Sequence, residues 1–418
     1  MILYTTFSIL ICLAALFAYI NHRFLKLPSS IGLMLLALLT SFILIGAGII
    51  YPYFLQNITG LLTSFDFSKL LLESMLSFML FAGAIHIKID QLKKEKLSVI
   101  LFSTLSVLLS AFIIASAIYG LLSLFNTPAH FIYCLLFGAL ISPTDPIAVL
   151  GILKSAEISK SLEMKIAGES LFNDGVAVVV FLTIVKIAGD PDSFHISDIA
   201  ILFIREALGG LILGLAIGYL GFILMRSIDN YKVEVLITIA VVMGGYSLAN
   251  LLHVSGPLAM VAAGILIGNQ GKQLAMSNTT IEYVDKFWEL VDETLNAILF
   301  VLIGLELLVV HFIPLYILIG LITIVLVLAT RYISIFLPAQ LIRLQEKIDQ
   351  RTILILTWGG LRGGISIALA LSLKPEMQKD LWVTLTYFVV AFSILVQGLT
   401  IGKLAKKSRN VSALQDNH

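Results

Sequence analysis

The chain has 418 residues, of which 59% are hydrophobic and only 13% charged, and its mean hydropathy is +1.02. Such values lie far outside the range of soluble globular domains and define a polytopic membrane protein. A net charge of +1 gives no reason to expect nucleic acid as a partner, and no enzyme activity or resident cofactor is expected. The two cysteines, Cys12 and Cys134, both fall inside apolar runs, so they read as packing residues and not as a disulfide framework or a thiolate metal site.

Apolar runs follow one another at roughly 2–20, 29–50, 68–87, 97–123, 130–153, 162–187, 199–226, 233–252, 255–268, 289–310, 313–337, 352–373 and 381–402. At about 1.5 Å rise per residue these make about thirteen transmembrane helices of an all-α protein. The first run leads straight into further spans without a small-residue cleavage pattern, so it reads as a helix and not a removable signal. The shortest division is HVSGP at His253–Pro257. No segment between runs is long enough for a second domain, which leaves one transmembrane domain over 1–402 and a short basic tail over 403–418.

Charge asymmetry tests this threading. With loops allotted alternately to the two faces, one face collects twenty Lys and Arg residues and the other five, Lys69, Lys186, Arg205, Lys374 and Lys379. The positive-inside rule then puts the N-terminus outside and the C-terminus in the cytoplasm, in a cell (inner) membrane. Arg331 and Arg362 are the two basic residues left deep within spans.

Thirteen spans permit two inverted six-helix repeats, about 1–187 and 233–402, with the helix at 199–226 as linker. The fifth span carries Ser142-Pro143-Thr144-Asp145-Pro146, where two prolines remove backbone donors and disfavour helix before them. The twelfth carries four glycines around one charge, Gly359-Gly360-Leu361-Arg362-Gly363-Gly364. Interrupted helices at matching places in two repeats mark the site of a transporter. Half-helix ends carry partial charges, an acid suiting N-terminal ends and a base C-terminal ends; Asp145 and Arg362 supply one of each.

The sixth span contains GESLFNDG at Gly168–Gly175. Ser170 and Asp174, like Glu169 and Asn173, are four residues apart and so share one side of a helix. Asp174 falls close to the midplane, where a carboxylate costs about 2.5–3.5 kcal/mol on insertion scales and marks function by default. Glu73, Glu206, Glu234 and Glu306 fall nearer span ends and read as interfacial or packing residues. The seven histidines lie near span ends or outside spans, and Trp288, Tyr283 and Trp382 read as an aromatic belt.

Several segments together carry a family resemblance: TDPIAV at Thr144–Val149, GESLFNDG, SGPLAMVAAGILIGN at Ser255–Asn269, LNAILFVLIGLEL at Leu295–Leu307 and WGGLRGGISIALALSL at Trp358–Leu373. They resemble the monovalent cation/proton antiporter family, in its NhaP and NHE-type sodium/proton exchanger branch. The resemblance implies crossed discontinuous helices at spans 5 and 12, a core domain and a dimerisation domain, and homodimers that move the core elevator-fashion. It makes Asp174 the carboxylate that binds either cation or proton, helped by Asp145, Ser170, the Thr144 carbonyl and, through water, Glu169, with Asn173 ordering the site. It pairs Arg331 with Glu169 and leaves Arg362 to the broken helix, an assignment that the sequence alone leaves open to exchange.

From the residues themselves, carboxylate, hydroxyl and carbonyl oxygens suit a hard monovalent cation, Na+ first and Li+ also, without the sulfur or imidazole set of a transition metal. Protonation and cation binding are competing ways to neutralise one buried acid, and this competition couples the two ions. A K+/H+ antiporter, a sodium-coupled solute symporter and a cation channel are the alternatives, the last lacking any filter-like segment.

Overall fold

In the computed structural model, which describes residues 2–53, 56, 59–60, 67–145, 147–155, 158–189, 196–310, 313–343 and 348–415, the apolar runs become helices. They are α1 (Ile2–Ile20), α2 (Ser29–Ile50), α3 (Leu76–Ile85), α4 (Ser106–Leu124), α5 (Phe131–Ile141), α6 (Ile147–Ser155), α7 (Lys160–Gly189) and α8 (Ile196–Arg226). The second half holds α9 (Tyr231–Leu251), α10 (Gly256–Leu266), α11 (Asn278–Glu306), α12 (Pro314–Ile342), α13 (Gln350–Trp358), α14 (Gly364–Leu371), α15 (Lys379–Phe392) and α16 (Gly398–Gln415). Helix is what hydrocarbon demands, because each segment must satisfy its own backbone donors and acceptors. Among the described residues no strand forms; the isolated β-type pairing is an antiparallel bridge between Asp145 and Leu361.

Nine of the described helical segments are individually long and apolar enough to cross a membrane. The remaining runs are interrupted or carry charge, so a count of thirteen depends on joining half-helices across their breaks. The HVSGP division is a real break. His253 adopts φ 53, the Val254 amide returns to the Ala249 carbonyl at 3.0 Å, and the Ser255 hydroxyl caps α10 by accepting from the Leu258 amide at 3.3 Å. Close packing then compacts the bundle. A Cβ on Gly138 of α5 would lie 2.1 Å from the Ala111 carbonyl oxygen of α4, so only glycine lets these backbones approach.

Several sequence-based boundaries and roles are corrected. The helix α11 starts at Asn278, well before the apolar run, with Ser277 accepting from the Thr280 amide as its cap. Trp288 therefore lies fully buried and not in an aromatic belt; its Nε1 donates to Thr238 Oγ1 at 3.0 Å. Trp382 is likewise buried, donating to the Met377 carbonyl at 2.7 Å and stacking on Phe137. Hydropathy windows see only apolar stretches and miss buried polar turns that neighbouring helices cover. Tyr283 does stay at the surface, 46% exposed. The expected polar tail continues α16 as far as Gln415, since after Gly402 the described chain holds neither glycine nor proline to stop it. Cys134 is buried as expected, whereas Cys12 is exposed.

Two of the span-end acids are held in structural contacts. Glu206 meets Lys186 at 2.6 Å, and Glu234 accepts from the Asn230 amide at 3.0 Å and from Thr280 Oγ1 at 3.1 Å. Glu73 and Glu306 line a cavity of about 850 Å³ together with Lys69 and Lys374.

Candidate ion-binding site

The two helix breaks meet. α5 ends at Ile141 with Ser142 as its C-cap, still at φ −75 and ψ −35, because Pro143 has no amide to carry the helix on, and the chain continues without helix to Asp145; Pro146 lies outside the described residues. Where it crosses the glycine-rich break between α13 and α14, the Asp145 amide donates to the Leu361 carbonyl at 2.7 Å. Arg362, almost fully buried, reaches back across the crossing. Its Nη1 donates to the carbonyls of Ser142 at 2.5 Å and Pro143 at 3.0 Å, which follow the C-terminal end of α5 and lack a helical partner.

Asp145 completes the exchange at the start of α14. A Cβ on Gly363 would come within 2.7 Å of both Cβ and Oδ2 of Asp145, so a residue without a side chain is required there. Each break thus places its charge at the half-helix end of the other. The glycine-rich break is steadied from the π-helical turn Ser393–Gln397, whose extra residue turns polar groups inward. Ser393 Oγ accepts from the Arg362 amide at 2.9 Å, and Gln397 Nε2 donates to the Trp358 carbonyl at 3.0 Å.

From α7, two side chains clamp Thr144. Asn173 Nδ2 donates to Thr144 Oγ1 at 2.8 Å, Asn173 Oδ1 accepts from the Thr144 amide at 3.4 Å, and Ser170 Oγ donates to the Thr144 carbonyl. Asn173, grouped with the ion-binding residues and expected to order the site, has both amide atoms bonded to Thr144. Glu169 faces Arg331. Its Oε1 lies 2.6 Å from Arg331 Nη2, with both side chains buried, and Arg331 further donates to the Leu356 carbonyl at 3.3 Å. This pair ties α7 to α12 and α13.

Asp174 is 8% exposed, and among the described residues it has neither a hydrogen bond nor a cationic partner. It lines a funnel of about 610 Å³ together with Thr144 and Asp145, and the funnel opens past Lys154, Glu289 and Asp285 at the end bearing the basic loops. His86 stands at the mouth, its Nδ1 3.6 Å from Asp285 Oδ1, where Lys272 Nζ also binds at 2.5 Å. Burial first, then Lys272, pushes the His86 imidazole below its usual 6.5.

Two further groups on the funnel wall escape a sequence reading. Ser366 of α14 is buried with a hydroxyl that has no hydrogen-bond partner among the described residues, and its signal is a lone polar residue just after the double glycine. Asp292 of α11 also faces the funnel; it lies at the start of the apolar run 289–310, where an acid costs little and carries no functional signal of its own. Among the described residues no three His, Cys, Asp or Glu side chains converge as a metal centre. The donors at the crossing are hard oxygens, which suit an alkali cation as cargo.

A buried Asp174 sharing a funnel with Asp145, at the crossing of two interrupted helices, defines a membrane transporter for a small cation. Comparison with known proteins gives the family. The profile described as "Sodium/hydrogen exchanger, transmembrane" matches residues 11–407, and the chain belongs to that family. It is similar to the Na(+)/H(+) antiporter NhaP of Pseudomonas aeruginosa, with 48% identity over 403 residues and 95% of each chain covered. The Na(+)/H(+) antiporter NhaH of Halobacillus dabanensis is 32% identical over 395 residues, covering 92% of this chain and 93% of its own. The fold matches the sodium proton antiporter MjNhaP1 of Methanocaldococcus jannaschii at pH 8, with a TM-score of 0.77 at 21% identity, covering 97% and 99% of the two chains.

Proposed function

We propose that this protein is a secondary active antiporter that exchanges Na+, and also Li+, for H+ at one shared carboxylate, Asp174. The observation that carries the reading is an Asp174 buried without a cationic partner at the inner end of a funnel that also holds Asp145. A carboxylate in that position is costly when charged and gains from either a proton or a cation, not both. The cation would take oxygens from Asp174, Asp145, Ser170 and the Thr144 carbonyl, the last two held ready by their mutual hydrogen bond. Asn173 keeps Thr144 in place. Glu169 and Arg331 brace α7, and Arg362 braces α5.

Coupling follows from competition. If the site crosses only when neutralised, a proton moving one way obliges a cation to move the other. We read alternating access as a rigid-body movement of the helices around the crossing, within two inverted repeats over about 1–187 and 233–402 and in a homodimer. The loop charges orient the N-terminus outward and put the funnel mouth in the cytoplasm of a cell (inner) membrane. The deep acids Asp145, Glu169 and Asp174 outnumber Arg331 and Arg362 by one, so exchange is one-for-one and electroneutral.

The test is collapse of a pH gradient in proteoliposomes on addition of Na+, Li+ or K+ chloride, with no organic solute present. Sodium-dependent collapse by the wild type, lost in Asp174→Asn and only weakened in Ser170→Ala, supports the reading. Collapse at the wild-type rate by Asp174→Asn sinks it.

A further inference from the structure

Buried hydroxyls on the helices of this protein commonly hand their proton to the carbonyl four residues earlier. Ser142, Thr183, Thr323, Thr357 and Thr386 do so at 2.6–2.8 Å, onto Gly138, Val179, Ile319, Ile353 and Trp382. Ser366 does not. It is 1% exposed, and its hydroxyl has no hydrogen-bond partner among the described residues. The residue four before it is Arg362, in the glycine-rich break, and Gly363 runs extended at φ −113 and ψ −165, so the break offers no helical carbonyl beneath the hydroxyl. A polar group buried in this way is costly unless something else satisfies it.

The start of α14 fixes the neighbours of Ser366. Gly363 is the N-cap residue, and a Cβ there would lie 2.7 Å from Asp145 Oδ2, so the Asp145 carboxylate takes the space in which a capping side chain would lie. Ser366, three residues on, holds the position whose side chain turns back towards the cap. The hydroxyl is thus brought to the side of α14 that faces Asp145. Ser366 also lines the funnel, together with Asp145, Asp174 and Thr144. A hydroxyl oxygen with its lone pairs free, in one cavity with two carboxylates, is a hard neutral ligand for an alkali cation.

The oxygens assigned to the cation so far all come from α7 and from the break after α5. We propose that Ser366 Oγ is a further ligand of the transported cation, so that the second interrupted helix also holds the ion. The proposal rests on the shared-carboxylate reading above. Because the hydroxyl is neutral, it leaves the charge count unaltered. A proton, bound covalently to Asp174, gains much less from it than a cation does, so Ser366 sets the affinity for sodium more than the affinity for protons.

The experiment measures 22Na+ uptake driven by a pH gradient in proteoliposomes, at an external pH of about 7 and about 8.5, and reads KM and kcat. Ser366→Ala should raise the KM for sodium about five- to tenfold, by the same factor at both pH values, with kcat changed less than about twofold. A hydroxyl that serves packing or holds a buried water would leave KM unchanged or lower kcat alone, and either result overturns the proposal. A KM raised at one pH only would mean that the hydroxyl acts on the Asp174 proton, and this overturns it too.

Ser366→Thr and Ser366→Val share a shape and differ in the hydroxyl. The threonine variant should keep the lower KM, and equal values again overturn the proposal. Far-UV circular dichroism in detergent establishes which variants are folded, and either the alanine variant or the matched pair suffices by itself. Exchange by the wild type and its loss in Asp174→Asn, measured alongside, report on the antiporter reading alone; with both as expected, an indifferent Ser366 sinks only the further ligand.

Discussion

Arg331 holds Glu169 through a 2.6 Å contact between Nη2 and Oε1, with neither side chain more than 4% exposed. Breaking such a pair from one side strands a charge where water cannot reach it. Glu169→Gln and Arg331→Met should each destabilise by about 3–5 kcal/mol, and the double variant should recover part of that loss. Thermal melts of the three variants in detergent give the coupling. Simple additivity would mean that the two side chains do not support one another.

Gly363 lies against the acid at the crossing. In Gly363→Ala the new methyl would meet Asp145 at 2.7 Å, so the carboxylate must turn away from the start of α14. The expected result is a KM for sodium raised about tenfold or more, equivalent to about 1.4 kcal/mol or more, with the protein still inserted in the membrane. An unchanged KM would show that Asp145 does not need this approach.

His86 at the funnel mouth should make stability pH-dependent. Its lowered value, caused by burial and then by Lys272 and opposed by Asp285 and Glu289, means that the unfolded chain binds more protons than the folded one just below 6.5. Stability is therefore full above about pH 6.5 and declines as pH falls from there through the lowered value. Melting temperatures at about pH 7.5 and 5.5 should drop more in wild type than in His86→Gln. Equal drops would assign the acid sensitivity to other groups.

Stoichiometry follows from the deep charges. Asp145, Glu169 and Asp174 oppose Arg331 and Arg362, leaving one negative charge that a single cation or a single proton cancels. One uncompensated charge per cycle would couple to about 2.3 kcal/mol per 100 mV. With proteoliposomes clamped at 0 and about −100 mV by potassium and valinomycin, provided K+ is not itself transported, the sodium gradient that stops net proton flux should stay unchanged. A shift of the size set by one charge would mean that a second proton travels, with Glu306 or Glu169 the first groups to test.

The sequence by itself determined the membrane class, the helical architecture, the two breaks and the acids on α7. Those features are local: apolar length, Pro143 before Thr144, glycines around Arg362, and the four-residue spacing of Ser170 and Asp174 can all be read along one dimension. Tertiary structure decided how the charges are shared. Arg362 meets the Ser142 carbonyl across 220 residues of chain, and Arg331 finds Glu169 on another helix, pairings that either arginine could have filled by sequence position alone. It also gave Asn173 its partner in Thr144, buried Trp288 and Trp382, and brought Asp292 to the funnel wall. Those outcomes depend on which helix faces pack together, because a side chain's role in low dielectric is set by the partner within about 3 Å and not by its neighbours along the chain.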